Sequence, residues 1–151
     1  CLVSKNRDVM DSCLKLGQAR LCSPLVEQIM ATAARDLPED YFQKTVAEYK
    51  RRRDVVFDGL SEIPNVLAIK PCGAFYNIVR LPVDDAEKFT KWLLTDFEED
   101  GQTIMLAPAA GFYATPGLGK REVRIAYVLC VEDLRRSILM LKKAIEKYNS
   151  R

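Results

Sequence analysis

The chain contains no histidine. That absence removes the commonest general base, the serine–histidine–aspartate arrangement and every imidazole metal site together. No apolar run approaches the length needed to cross a bilayer, and no secretory leader pattern opens the sequence. A strong charge of one sign is missing too: 23 basic against 21 acidic residues leave a net of +2. Such a balance argues against a dedicated nucleic-acid binder, which concentrates basic side chains in a patch. Cysteine is present but never at metal-binding gaps. Cys1, Cys13, Cys22, Cys72 and Cys130 are odd in number and irregularly spaced, so no zinc site is indicated. Reduced thiols in a cytoplasmic protein are the expectation, most of them serving as small core residues.

What is present is enough to fold. With 151 residues, 48% hydrophobic and 29% charged, the chain can bury a core as one full domain, or as one domain with part of a second. It begins at Cys1 without a methionine, and we expect it to be a piece of something longer. Cys1-Leu2-Val3 reads as the end of a strand closed by Ser4-Lys5-Asn6. A short helix is expected from Asp8 to about Ala19, with Val9, Cys13 and Leu16 along one side. Ser23-Pro24 then restarts a helix, serine at the N-cap and proline in the first turn, and Leu37-Pro38 ends it. A long helix follows from about Glu39 to Leu60, with Phe42, Val46, Tyr49, Val56 and Leu60 on one face. Its basic run Lys50-Arg51-Arg52-Arg53 points in four directions and forms no single patch. Lys50 to Arg52 are expected on a solvated face, and Arg53 tucked toward the core beside a carboxylate.

From Pro64 onward the pattern is strand, strand, helix, strand, strand, helix, an α+β layer of helices on a small sheet. The strands are expected at Val66–Ile69, Ala74–Leu81, Thr103–Ala107 and Arg121–Leu129. Asp84 and Glu87 have the spacing of a capping box, and the helix they open carries Phe89, Trp92, Leu93 and Phe97. The final helix shows an apolar stripe of Leu134, Ile138, Leu141, Ile145 and Tyr148. Between the third and fourth strands, Pro108 to Lys120 is long for a compact domain, and such loops are often functional. Its Gly117-Leu118-Gly119-Lys120 lacks the spacing of a phosphate cradle and precedes a strand rather than a helix, so a tight turn is expected. The carboxylate pairs at Asp84-Asp85 and Glu98-Glu99-Asp100 are explained by capping and by a solvated helix end.

Arg124 is the residue that asks for a partner. It interrupts an apolar strand between Val123 and Ile125, while Val123, Ile125, Tyr127 and Leu129 share the other face by the two-residue period. A guanidinium there stays charged and calls for a planar anion, either an internal Asp or Glu or the carboxylate of a ligand. Gly73-Ala74-Phe75-Tyr76 is a second point of interest. Two small residues at a strand entrance admit a close approach, and the composition is equally met by a bend with two core rings on alternate faces.

Taken in order, Tyr49, Arg51-Arg52-Arg53-Asp54, Lys70-Pro71-Cys72-Gly73-Ala74-Phe75-Tyr76, Pro108 with its loop, and Val123-Arg124-Ile125-Ala126-Tyr127 resemble the fold-type I pyridoxal-phosphate aminotransferases, above all the aspartate aminotransferase subgroup. The resemblance spans essentially the whole chain and matches the last segment of that family. It implies an α+β small C-terminal domain over residues 38–151, preceded by a helical remnant of the large cofactor-binding domain over residues 1–37. By resemblance Arg124 grips the substrate α-carboxylate, and Phe75 walls the same pocket. The implied cofactor is pyridoxal 5'-phosphate, and the implied partners are an amino acid, a 2-oxo acid and a second copy of the parent. Neither nucleic acid nor a membrane is implied.

The departures are specific. The Schiff-base lysine, the aspartate to the pyridine nitrogen and the phosphate-binding residues are matched nowhere in the chain. Ser4-Lys5 is no substitute, because Cys13 stands near the place of the arginine that should follow. No catalytic residue is therefore assigned, and the chain alone is expected to be inactive. Ala109-Ala110-Gly111-Phe112 departs from relatives with glycine directly after the proline, and Arg20 has no counterpart, its default being a structural ion pair. Leu14, Leu25 and Ile29 are expected exposed on the remnant. The other class of reading is a non-enzymatic α+β interaction module, with Arg124 in a structural ion pair.

Overall fold

The computed structural model describes residues 2–20 and 24–151. It divides into two compact units, Cys1–Phe42 and Gln43–Arg151. The first unit is helical. Helix α1 spans Arg7–Arg20 and α2 spans Leu25–Thr32, and a 3₁₀ turn follows at Ala33–Asp36. Ser4-Lys5-Asn6 caps α1: the Asn6 carboxamide accepts from the amides of Asp8 and Val9 at 3.0 and 3.3 Å, which satisfies two donors of the first turn. Leu2 and Val3 lie in no strand, contrary to the sequence expectation, while Cys1 lies outside the described residues. So do Ser23, expected as the cap of α2, and the side chain of Arg20. Pro24 stands immediately before α2, and Leu37 takes the extended conformation that a following proline imposes. Leu14, Leu25 and Ile29 are exposed, as expected of that surface.

The second unit holds the sheet. Helix α3 spans Glu39–Ser61, and its later turns belong here. Strands β1 (Leu67–Ala68), β2 (Tyr76–Arg80), β3 (Ala107–Pro108) and β4 (Glu122–Ala126) form one antiparallel sheet in the order β1-β2-β4-β3. Helices α4 (Ala86–Thr95) and α5 (Val131–Asn149) complete the alternation read from the sequence. One sheet face is packed. Val79, Val123 and Ile125 meet Val56 and Leu60 of α3, Phe89 and Leu93 of α4, and Leu134, Leu141 and Ile145 of α5 in one buried cluster. Helices α3 and α5 come together at Gly59, where a Cβ would stand 2.9 Å from the Ile138 side chain.

Several boundaries differ from the sequence expectation. The cap of α4 is Asp85, whose carboxylate accepts from the amides of Glu87 and Lys88. Asp84, one residue earlier, accepts instead from the Tyr148 hydroxyl at 2.9 Å. Thr103 to Leu106 lie outside the named strands, and pairing begins only at Ala107. Strand β4 stops at Ala126, so Leu129 leaves the buried stripe and is exposed. The upper end of the α3 stripe is open as well, with Phe42 and Val46 exposed. Cys72 and Cys130 are exposed free thiols and Cys13 is half-buried, so none of these three is a core residue. The Cys130 thiol donates to the Asp133 carboxylate across the first turn of α5.

Arg52 and Arg53 tie α3 to the sheet region. Arg53 donates to the Asp54 carboxylate at 2.8 Å and to the Pro71 carbonyl at 3.2 Å, as expected of a tucked arginine with an acid partner. Arg52, expected in solvent, is instead half-buried, bonded to Glu48 and to the Val128 carbonyl at 2.7 Å. Lys70 reaches Asp54 at 2.8 Å and Lys50 does so at 3.3 Å. Lys70 first, then Arg53, hold the Asp54 carboxyl far below the usual carboxylate range. A folded-state pKa below the unfolded one contributes stability above the unfolded value and loses it as pH falls toward the folded one. The contribution should therefore fade from about pH 4 downward. We expect Asp54→Asn to flatten the fall in urea midpoint between pH 4 and pH 2, and an unchanged slope would contradict that role.

Candidate carboxylate-docking site

Strand alternation sets the face. Val123 and Ile125 are buried in the core, so Glu122, Arg124 and Ala126 of β4 turn to the opposite, open face. Tyr76, Ile78 and Arg80 of β2 lie beside them, with Ile78 paired to Arg124 and Arg80 to Glu122. Arg124 is thus exposed rather than held inside an apolar strand. Among the described residues no carboxylate pairs with it. Its neighbours are aromatic: Cζ lies 5.4 Å from the centre of the Tyr76 ring and 5.0 Å from that of Phe112. Rings against a guanidinium hold it by their quadrupoles while leaving its donor edge for a planar anion. Arg124 also lines a cleft of about 600 Å³ with mainly apolar walls, including Ile104, Leu106, Ile125 and Leu134.

Phe75 is not a core ring, and neither is Tyr76; both are exposed. They meet edge to face at 5.6 Å. Phe75 lines a separate hollow of about 460 Å³ with Tyr49, Arg53, Cys72 and Tyr127. The two residues singled out from the sequence are therefore connected through Tyr76 rather than by sharing one cavity. Ala74 takes a left-handed backbone, φ 59°. The buried Tyr127 accounts for its persistence, donating from its hydroxyl toward the carbonyls of Gly73 and Ala74 at 3.3 and 3.1 Å. Burial pushes the Tyr127 phenol up, so it remains a donor at neutral pH.

The loop between β3 and β4 delivers Phe112. A 3₁₀ turn at Ala110–Phe112 opens it, and Tyr113 donates to the Glu122 carboxylate at 2.5 Å. Gly117-Leu118-Gly119-Lys120 is a tight turn, as expected. At Gly119, φ is 72° and a Cβ would stand 2.6 Å from the Tyr113 ring and 3.0 Å from the Ala110 backbone. Gly119→Ala should cost about 1–3 kcal/mol from the left-handed backbone and the displaced ring, read as a lower urea midpoint. Phe112 could not be chosen from the sequence, since its contact with Arg124 depends on the course of an irregular loop. Tyr76 carried a weak signal in its two-residue offset from Ile78, the partner of Arg124.

Lys5 is exposed within the α1 cap. No group of three or more metal-ligating side chains is found among the described residues. No described helix is long and apolar enough to cross a membrane.

The described residues thus form a four-stranded antiparallel sheet with helices packed on one face and Arg124 exposed on the other. The pattern of the family "Aminotransferase class I and II" matches residues 1–138, and the chain belongs to that family. It is 29% identical to a probable aspartate/prephenate aminotransferase of Aquifex aeolicus, over 72% of this chain and 26% of that protein. With an aspartate aminotransferase of Bacillus subtilis it shares 24% identity, over 95% of the chain and 36% of the relative. Among solved structures, an α-aminoadipate aminotransferase from Thermus thermophilus superposes with a TM-score of 0.69 at 18% identity, covering 96% of this chain and 37% of that one. An alanine aminotransferase from Pyrococcus furiosus gives 0.65 at 24% identity, covering 95% and 36%. The α+β architecture is thus that of aminotransferases, and the chain spans between a quarter and two fifths of the length of these relatives.

Proposed function

We propose that this chain is the substrate-docking part of an aminotransferase that moves an amino group between an amino acid, aspartate or one like it, and a 2-oxo acid. Arg124 receives the α-carboxylate. The observation that carries the reading is an exposed guanidinium backed by Tyr76 and Phe112, with no internal acid paired to it among the described residues. Two parallel N–H donors fix both the position and the plane of a carboxylate, and orientation is what turns a bound amino acid into a reactive one. Phe75 shapes the neighbouring wall by packing. The aspartate preference is supported by the names of the relatives, several of them aspartate aminotransferases.

Pyridoxal phosphate supplies the electron-withdrawing group of the family's chemistry, and no residue of this chain is proposed to hold it. Residues 1–37 are assigned to the cofactor-binding domain of the intact enzyme and 38–151 to the small domain, whose closure over substrate excludes water. The intact enzyme is proposed to be a cytoplasmic homodimer. For the alternative, an interaction module with Arg124 in an ion pair, no acid partner is found among the described residues.

The test compares aspartate with its α-amide as donors to the intact enzyme. Removing the α-carboxylate charge should abolish amino transfer, and equal rates with both donors would refute carboxylate docking. The 151-residue chain alone, mixed with pyridoxal phosphate and aspartate, should show neither turnover nor saturable attachment of the cofactor at one lysine.

A further inference from the structure

Phe112 and Tyr113 are neighbours in the loop before β4, and they act on two members of one strand face. Phe112 stands over Arg124. Tyr113 takes the carboxylate of Glu122, which lies two positions before Arg124 and turns to the same side. Residues so placed on a strand stand roughly 7 Å apart, within reach of a glutamate and an arginine that extend toward one another. A carboxylate at that distance is the natural rival of one arriving from solution. Arg80, the register partner of Glu122, is the other cation it could turn to.

We propose that Tyr113 is a positioning residue that withholds Glu122 from Arg124 and so keeps the guanidinium available to a substrate carboxylate. The proposal rests on the reading of Arg124 as the carboxylate dock. Three observations support it. The Tyr113 hydroxyl is committed to Glu122, and that bond raises the phenol pKa above its ordinary value, so the proton stays on the donor. The ring cannot drift inward, because it lies flush against the backbone of Gly119. The Tyr113 amide donates to the Ala110 carbonyl at 3.2 Å, which fixes the start of the side chain from the 3₁₀ turn that also carries Phe112. One short segment thereby backs the docking arginine and occupies its nearest competitor.

The size of the effect follows from the weakness of exposed ion pairs. A released Glu122 would pair with Arg124 with an equilibrium constant of about 1–5. The competent fraction would fall to between roughly one half and one sixth, raising the apparent dissociation constant about two- to sixfold. In the intact enzyme, Tyr113→Phe keeps the ring on Gly119 and removes only the hydroxyl. It should raise KM for aspartate by that factor with kcat unchanged, and Tyr113→Phe combined with Glu122→Gln should return KM to the original value. A second readout needs no catalysis: modification of Arg124 by phenylglyoxal in the 151-residue chain, followed by peptide mass spectrometry. The rate should fall in Tyr113→Phe and recover in the double variant. An unchanged KM and modification rate in Tyr113→Phe, as when Glu122 turns to Arg80, would overturn the proposal. So would a double variant that fails to recover, since the hydroxyl would then act through loop packing. Arg124→Lys in the same assays separates the two layers. If it leaves KM unchanged, the docking role itself is lost; if it raises KM while Tyr113→Phe does not, docking stands and the role of Tyr113 falls.

Discussion

Replacing Arg124 with alanine in the intact enzyme is expected to lower kcat/KM for aspartate on the order of 10³-fold. Two charge-assisted hydrogen bonds, each worth about 1.5–3 kcal/mol, are lost at once. Arg124→Lys keeps the charge but not the fork, and should lose roughly 10–100-fold, because a point charge fixes position better than plane. Stability should fall by no more than about 1–2 kcal/mol. The side chain is exposed and has no acid partner among the described residues, so only its contacts with Tyr76 and Phe112 are removed. Such contacts contribute about 0.5–1 kcal/mol each at exposed sites. Steady-state kinetics beside a urea titration therefore separates the roles. A large fall in midpoint with little change in kcat/KM would mark a structural arginine.

The opposite profile is expected at Phe89. Its ring is fully buried, stacked on Trp92 at 6.1 Å and set edge-on to Tyr148 at 5.0 Å. Truncation to alanine removes that contact area and leaves a cavity that α4 and α5 cannot close without moving. Phe89→Ala should cost about 3–5 kcal/mol, a large share of the 5–15 kcal/mol typical of a whole domain. The measurement is the urea midpoint of the 151-residue chain, and a loss below about 1 kcal/mol would show that the aromatic cluster is not the centre of the fold. Met140 in place of a ring could fill such a gap by flexing, but it belongs to the same cluster already.

The helices were legible because their periodicity is long and repeated. The stripe of Leu134, Ile138, Leu141, Ile145 and Tyr148 is buried as read, and the order of strands and helices from Pro64 onward is the observed one. Short-range chemistry was less decisive. Asp84 and Asp85 are chemically equivalent caps, and the choice between them depends on Tyr148, distant in sequence, which claims Asp84. Thr103 to Ala107 have strand composition, yet pairing is set by where β4 offers an edge. At Arg124 the alternation was read correctly, but a period of two separates faces without saying which one is covered. The sequence places the arginine on the right side of the strand, while the Tyr76 and Phe112 rings beside it come only from the folded path. Phe112 and Tyr113 lie in a segment without periodicity, where only the folded path reveals what they touch.

The strand lengths have a further consequence. The two outermost members of the sheet, β1 and β3, are two residues each, and β3 ends in Pro108. A foreign chain seeking to extend the sheet by backbone pairing finds scarcely one pair of free amides on either border, and on one side a ring nitrogen with no hydrogen to offer. The exposed apolar and aromatic side chains on the open face can thus remain in water for a ligand without inviting fibrous self-assembly through the backbone.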